Sequence, residues 1–397
     1  MRQSLIKAGR LIDGTGNKPE LDQAIFIENK QVVSIKPWKT VKPSQSFLDY
    51  SGFTVLPGFI DTHLHLSLEP DKKTPYDTGQ AIEEVIKRTR RNARASLKAG
   101  VIAVGDCGAQ NDVIFPVKES LKIDGLKIFA SGQALTPEGG HGAEAIGLVV
   151  SGTEKLREAV AKQAELGADF IKVMATGGGG EDPGASHYSI KELTAVREAA
   201  DQYNLKVAAH AHGTTGIKNC VLAGIQRIEH CTFMDKSGSL FDAEIARDIA
   251  RQSIIVSPTN VIDYRRMQAQ GGSEEGIAPR TALNKTWRKL LEAGVKFAAS
   301  SDAGVPDIHY DDYALILELM VNELGMTPMD AIIAATRTSA EALDALDIFG
   351  TVETGKCADL VVIKGNPLED ISTIRNIKSI LLNGRLIKQK GEAHEQA

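Results

Sequence analysis

Two observations predict an α/β protein built on a (β/α)8 TIM barrel, and a third predicts a small β-sandwich beside it. From about residue 56, apolar runs of strand length alternate with amphipathic helical stretches, and eight such units can be counted. They occupy roughly 250 residues, the usual length for that barrel. Strand-like runs also occupy both ends of the chain. They predict one small β-sandwich domain formed from residues 1–55 with 352–397, and a barrel over 56–351.

The opening segment holds short alternating runs, Leu5-Ile6-Lys7, Ala24-Ile25-Phe26-Ile27 and Val32-Val33-Ser34-Ile35, which read as antiparallel strands. Barrel strands are expected at 55–60, 101–106, 126–131, 169–175, 205–210, 226–230, 253–257 and 296–301. Helical patterns fill the gaps at 81–99, 112–120, 153–166, 190–203, 214–223, 241–251, 279–293 and 311–324. Phrases such as Lys98-Ala99-Gly100 and Leu222-Ala223-Gly224 set a glycine at a helix end just before a strand. A further helix is expected from Met329 to Leu343, after Pro328. Strands then return at 358–363 and 377–384, and the tail from Glu392 reads as frayed.

Composition narrows the function. Of 397 residues, 42 % are hydrophobic and 24 % charged, which excludes a disordered, collagen-like or membrane-spanning chain. Lysines and arginines (46) against acids (51) leave a charge of −5, so nothing calls for nucleic acid. Four scattered cysteines with no C-x-x-C, and no apolar leader, predict reduced thiols and a cytoplasmic protein.

Chemistry in such a barrel belongs at the C-terminal ends of the strands, and the unusual residues fall there. His63 and His65, at i and i+2 in Pro57-Gly58-Phe59-Ile60-Asp61-Thr62-His63-Leu64-His65, share a strand face and can reach one metal ion. Lys172 shares a face with Phe170 and Met174. Its amine either snorkels to the rim or sits neutral inside, able to take up carbon dioxide as a carbamate. His210 and His212 repeat the i, i+2 pattern on strand five. His230 ends strand six and Asp302 ends strand eight. One histidine at a strand end is usually structural. Histidines, a lysine and an aspartate gathered at five strand ends point to a metal site.

These residues together resemble the amidohydrolase superfamily, in its binuclear branch with a carboxylated lysine. The segment from Pro57 to His65, with Lys172, His210, His230 and Asp302, carries the resemblance, and it covers nearly the whole chain. The phrases 170–179 and 208–213 are similar to the imidazolonepropionase-related group that holds Xaa-Pro dipeptidases and arginine or lysine carboxypeptidases. That resemblance implies two divalent ions. His63, His65 and Asp302 would hold one, His210 and His230 the other, and Lys172, N6-carboxylated, would bridge them. Imidazole and carboxylate ligands without thiolates suit Zn²⁺, with Mn²⁺, Co²⁺ and Fe²⁺ also compatible.

The implied reaction is hydrolysis of an amide C–N bond by a hydroxide bridging the two metals, with Asp302 as catalytic proton carrier. The enzyme would be a homo-oligomeric dipeptidase, carboxypeptidase or N-acyl amino acid hydrolase acting on a small molecule that carries a carboxylate; a non-peptide amide such as an arylamide or urea stays open, since the sequence does not choose. Mononuclear deaminases of the superfamily lack the lysine and carry a glutamate three residues after the strand-five histidine. Here Lys172 is present and Gly213 fills that place. A cyclic amide hydrolase and a non-catalytic scaffold are the other readings, and a scaffold would be expected to have lost ligands.

Substrate-facing candidates are His141 in the loop after strand three, His212, and Tyr188 in the loop after Lys172. Tyr264, Arg265 and Arg266 after strand seven are weaker ones. The four glycines from Gly177 to Gly180 lack a following Gly-Lys-Ser/Thr and so are no phosphate loop; they let the backbone turn tightly over the metal site or allow a lid to move.

Overall fold

The computed structural model describes residues 3–43, 46–74, 76, 79–121, 125–178, 181–269, 271 and 274–387. Gly179, Gly180 and the tail beyond 387 lie outside the described residues, as does the fraying expected there.

Strands β1 (Gln3–Leu11), β2 (Glu20–Glu28), β3 (Gln31–Pro37) and β4 (Leu48–Pro57) join three strands from the far end of the chain. Those partners are β16 (Leu360–Ile363), β17 (Ile377–Leu382) and β18 (Arg385–Ile387). All seven form one sheet in the order β18-β17-β16-β4-β1-β2-β3. Its inner side chains, among them Ile6, Ile25, Val55, Leu360 and Leu381, form a core of their own. The β1–β2 and β2–β3 pairs are antiparallel, as the short alternating runs predict. The β1–β4 pair is parallel: β3 lies at the sheet edge, and β4 pairs with β1 on the side away from β2.

Only Gly58 separates β4 from the first barrel strand, β5 (Phe59–Leu64). A Cβ there would lie 2.4 Å from Ile102 Cγ1, so the chain can pass from sheet to barrel only on glycine. The expected strand at 55–60 is therefore two strands in two sheets. A continuous apolar run does not reveal where the change occurs.

The barrel continues through β6 (Val101–Asp106), then β7 (Lys127–Ala130) and β8 (Ala134–Thr136). Those last two share the third position. β7 pairs with β6, β8 pairs with the fourth strand, and Gly132, at φ +70°, bends the chain between them. A short β9 (Gly147–Val149) lies outside β8. The fourth to seventh strands are β10 (Phe170–Met174), β11 (Lys206–Ala211), β12 (Arg227–His230) and β15 (Ile255–Ser257), all parallel. A hairpin of β13 (Met234–Asp235) and β14 (Gly238–Ser239) sits above the sixth.

The expected eighth strand makes only isolated bridges, such as Val256 with Phe297, because the backbone turns left-handed at Asp302 (φ +58°). It still closes the ring: Thr62 N donates to Ala299 O, Asp302 N to His63 O and His65 N to Ala303 O.

Helices α1 (Ile82–Lys98), α2 (Ile114–Leu121), α3 (Thr153–Glu165), α4 (Ile190–Asp201), α5 (Thr214–Ala223) and α6 (Ala243–Arg251) lie close to their expected spans. So does α9 (Tyr313–Asn322). The terminal helical stretch is α10 (Pro328–Ile333) and α11 (Ser339–Ala342), joined through a π-helical turn. Two helices differ. The seventh begins at Glu274, as α8 (Glu274–Glu292), because Pro279 lies inside it instead of opening it. An unexpected α7 (Val261–Ala269) follows β15 directly. No helix among the described residues is long and apolar enough to cross a membrane.

Candidate metal centre and active site

Period-two alternation on β5 turns His63 and His65 to one side, and each ring is fixed by its Nδ1. His63 Nδ1 lies 3.0 Å from Glu229 Oε2, and His65 Nδ1 lies 3.0 Å from the Gly108 carbonyl oxygen. The outward Nε2 atoms lie 3.4 and 3.2 Å from Asp302 Oδ1. Nitrogen lone pairs aimed inward, with N–H groups tied behind, are what a metal site requires.

A second group faces them. One nitrogen each of His210, His212 and His230 fall within 4.8 Å of one another, and His210 and His230 are the more deeply buried. His230 Nδ1 meets Thr259 Oγ1 at 2.7 Å and His210 Nε2 meets the Gly177 carbonyl oxygen at 3.2 Å. His230 and Thr259 both hold left-handed backbone, φ +65° and +50°. For a β-branched threonine that is strained, and such strain collects at functional sites.

Lys172 projects from the middle of β10 with 1 % of its surface exposed, and no hydrogen bond reaches its Nζ. Asp302 Oδ1 is likewise buried without a hydrogen bond of good geometry. Buried polar atoms left unpaired are costly, so an amine and a carboxylate oxygen orphaned among imidazoles fit bound divalent cations.

The electrostatics separate by environment. Burial pushes the Asp302 carboxyl up, but the His63 and His65 rings outweigh it and hold it well below the usual carboxylate range. Burial likewise opposes ionisation of Glu229, yet the charges of Arg227 and His63 prevail and keep it low. Burial first, then neighbouring imidazoles, drives His210 and His230 well below the ordinary histidine value. His141 falls to about 4 and His212 to about 3, mainly through burial.

The strand ends open into a cavity of about 920 Å³ lined by His63, His65, Lys172, His210, His230 and Asp302 at its floor. The six expected ligands are thus brought together. His141 and His212 also line the cavity, His141 stacked on His210 with ring centroids 4.4 Å apart. Tyr188 does not. Its ring packs in the core and its hydroxyl donates to Val150 O at 2.8 Å, so the expectation that it binds substrate is corrected: the loop turns it inward.

Of the weaker candidates, Arg266 faces the cavity. Tyr264 lies under the Arg280 guanidinium and Arg265 is bound to Asp312. Sequence reasoning gave no role to Glu229 or Thr259. Glu229 could have been flagged as one carboxylate between an arginine and a histidine on a buried strand. It accepts from Arg227 Nε at 2.6 Å and is wholly buried.

A barrel with histidine, lysine and aspartate side chains gathered at its strand ends, beside a seven-stranded sheet from both termini, is the setting of a candidate metal-dependent hydrolase site. A profile described as the Amidohydrolase family matches residues 54–387, and the chain belongs to that family. It is similar to ochratoxinase from Aspergillus niger, 27 % identical over 98 % of this chain and 87 % of that one. Imidazolonepropionase from Fusobacterium nucleatum subsp. nucleatum is 24 % identical over 92 % of this chain and 91 % of its own. Among solved structures, a Xaa-Pro dipeptidase with methionine bound in its active site superposes with a TM-score of 0.85. It is 29 % identical, over 98 % of this chain and all of that one. The resemblance to the amidohydrolase superfamily and its imidazolonepropionase-related group is thereby borne out, and the protein is a hydrolase of carbon–nitrogen bonds acting on small-molecule amides.

Proposed function

We propose that this amidohydrolase cleaves the amide bond of a dipeptide or N-acyl amino acid, using two divalent ions, Zn²⁺ by donor chemistry, held by six residues. His63, His65 and Asp302 form one ligand group and His210 and His230 the other, with Lys172, as its N6-carboxylate, shared between them. The observation that carries this reading is the Lys172 amine, buried without a hydrogen-bond partner in the cavity that His63, His210 and His230 also line. His212, less buried than its two neighbours, is left to face substrate.

When bound, the ions would polarise the scissile carbonyl and acidify the attacking water. Asp302, held ionised, takes the proton of that water and returns it to the leaving amine nitrogen. His141 and His212 are neutral at pH 7, so they offer imidazole hydrogen bonds to the carbonyl oxygen rather than a charge to a carboxylate. Glu229 and Thr259 keep the Nδ1 sides of His63 and His230 occupied, so that both rings present Nε2 to the site. The Xaa-Pro dipeptidase and ochratoxinase relatives support this class of substrate.

The test is to titrate metal-free protein with Zn²⁺ and bicarbonate while screening dipeptides and N-acyl amino acids for hydrolysis. Activity should saturate at two ions per chain. Saturation at one ion, or activity with none, contradicts the reading.

A further inference from the structure

Which end groups the substrate carries can be read from the cavity mouth. Helix α7 turns Ile262, Asp263 and Arg266 to the cavity, an i, i+1, i+4 face. Its other side is anchored by Tyr264 beneath Arg280 and Arg265 on Asp312. Arg266 is therefore presented by a helix held in place. Its ion pair among the described residues is with Asp263 at 3.6 Å, beyond hydrogen-bond length, and 66 % of its side chain is exposed. A guanidinium fork so placed has donors free for a carboxylate.

Glu144 lines the same cavity from the loop after the third strand, where the Tyr76 hydroxyl, at 3.3 Å, is its partner. Glu144 enters from the loop after the third strand and Arg266 from the helix after the seventh, strand positions that lie opposite each other in a ring of eight. Glu181, after the fourth strand, lies on the acidic side and is 3.5 Å from His187. Lys73, in the loop after the first strand that also carries Tyr76, lines the cavity as well. The walls between the poles are apolar: Ile146 and Met174 near Glu144, Leu283 and Trp287 near Arg266.

Resting on the function proposed above, we infer that the site takes a dipeptide of apolar side chains as its zwitterion, the C-terminal carboxylate on Arg266 and the N-terminal ammonium at Glu144. This chooses between the two substrate classes. An N-acyl amino acid brings no cation to the acidic pole. Opposite charges at opposite ends also fix the direction in which the peptide lies over the metal ligands.

The experiment compares leucyl-leucine, leucyl-leucinamide and N-acetyl-leucyl-leucine on zinc-loaded wild-type protein, R266Q and E144Q. Wild type should favour the free dipeptide over either blocked form by about tenfold or more, the scale of a lost charge-assisted hydrogen bond. R266Q should raise KM for leucyl-leucine far more than for its amide. E144Q should raise KM for leucyl-leucine far more than for its N-acetyl form. Equal effects of R266Q on acid and amide, or wild-type preference for the N-acetyl form, overturn the inference while leaving amide hydrolysis standing. Hydrolysis of none of the three by protein carrying two ions overturns the inference and the dipeptide reading together.

Discussion

A methyl group added at Gly178 would stand 2.7 Å from His210 Nε2, 2.9 Å from its Cε1 and 3.4 Å from His212 Cδ2. Ordinary contact begins near 3.4 Å, so the His210 ring or the loop must yield by about 0.7 Å. The ring has no free direction: the centroids of His141, His212 and His230 lie 4.4, 4.6 and 4.5 Å away. Gly178 itself is not in left-handed backbone, so Gly178→Ala perturbs by crowding alone. Overpacking of this kind costs about 1–3 kcal/mol. A metal ligand must be placed to within about 0.5 Å, so the displacement should loosen the ion that His210 holds.

The variant should fold, melt somewhat lower than wild type, and give up one of its two ions to a chelator about 10–100-fold faster. Timed chelation with metal analysis, beside a thermal melt, measures both. Gly52→Ala, where nothing lies within 4 Å of the added methyl, is the matched control and should change neither. Retention of both ions at the wild-type rate in Gly178→Ala would refute the placement of His210 among the ligands.

Three other outcomes are expected. Thr259→Val keeps the shape and β-branching but removes the acceptor 2.7 Å from His230 Nδ1; it should weaken retention of one ion about 10–100-fold, while Thr259→Ser stays near wild type in the same chelation assay. Asp302→Asn should fold yet lose at least about 100-fold in kcat, measured in steady-state hydrolysis, because the proton carrier is gone. Ser189→Ala breaks the capping box with Glu192 at the start of α4 and should cost about 1 kcal/mol in denaturant unfolding at pH 7. Burial pushes Glu192 up, but hydrogen bonds from Ser189 and Gly152 outweigh it and hold its pKa below 4.5. A carboxyl depressed in this way adds stability that is fully present above pH 4.5 and fades as pH falls through the folded value. The difference between Ser189→Ala and wild type should accordingly shrink in acid.

What could be read from the sequence was what local periodicity writes. The i, i+2 histidines, the lysine inside a strand and the Gly-capped helix ends each carry their meaning within a few residues, and they placed all six expected ligands in one cavity. The misreadings were tertiary. Val55 to Ile60 is one apolar run, yet it serves two sheets, because the close approach of Ile102 that defines Gly58 is invisible locally. Residues 261–269 read as loop, which hid α7 and the helical face that turns Arg266 to the cavity. Tyr188 lies near Lys172 in sequence, but its hydroxyl finds Val150 O in the core. Glu229 and Thr259 act on rings delivered by other strands, and no spacing along the chain records such contacts.

The account stands most directly on Lys172. In the proposed site, carbamate formation would bond the neutral amine to carbon dioxide with loss of a proton, and the anion would then serve both ligand groups. The decisive measurement is metal content and amide hydrolysis of Lys172→Ala, with and without a small carboxylic acid such as formate or acetate. The expected result is an inactive variant holding fewer than two ions, partly restored in both respects when the acid occupies the vacated bridge. A Lys172→Ala protein that binds two ions and turns over normally without added acid would contradict the shared-lysine site.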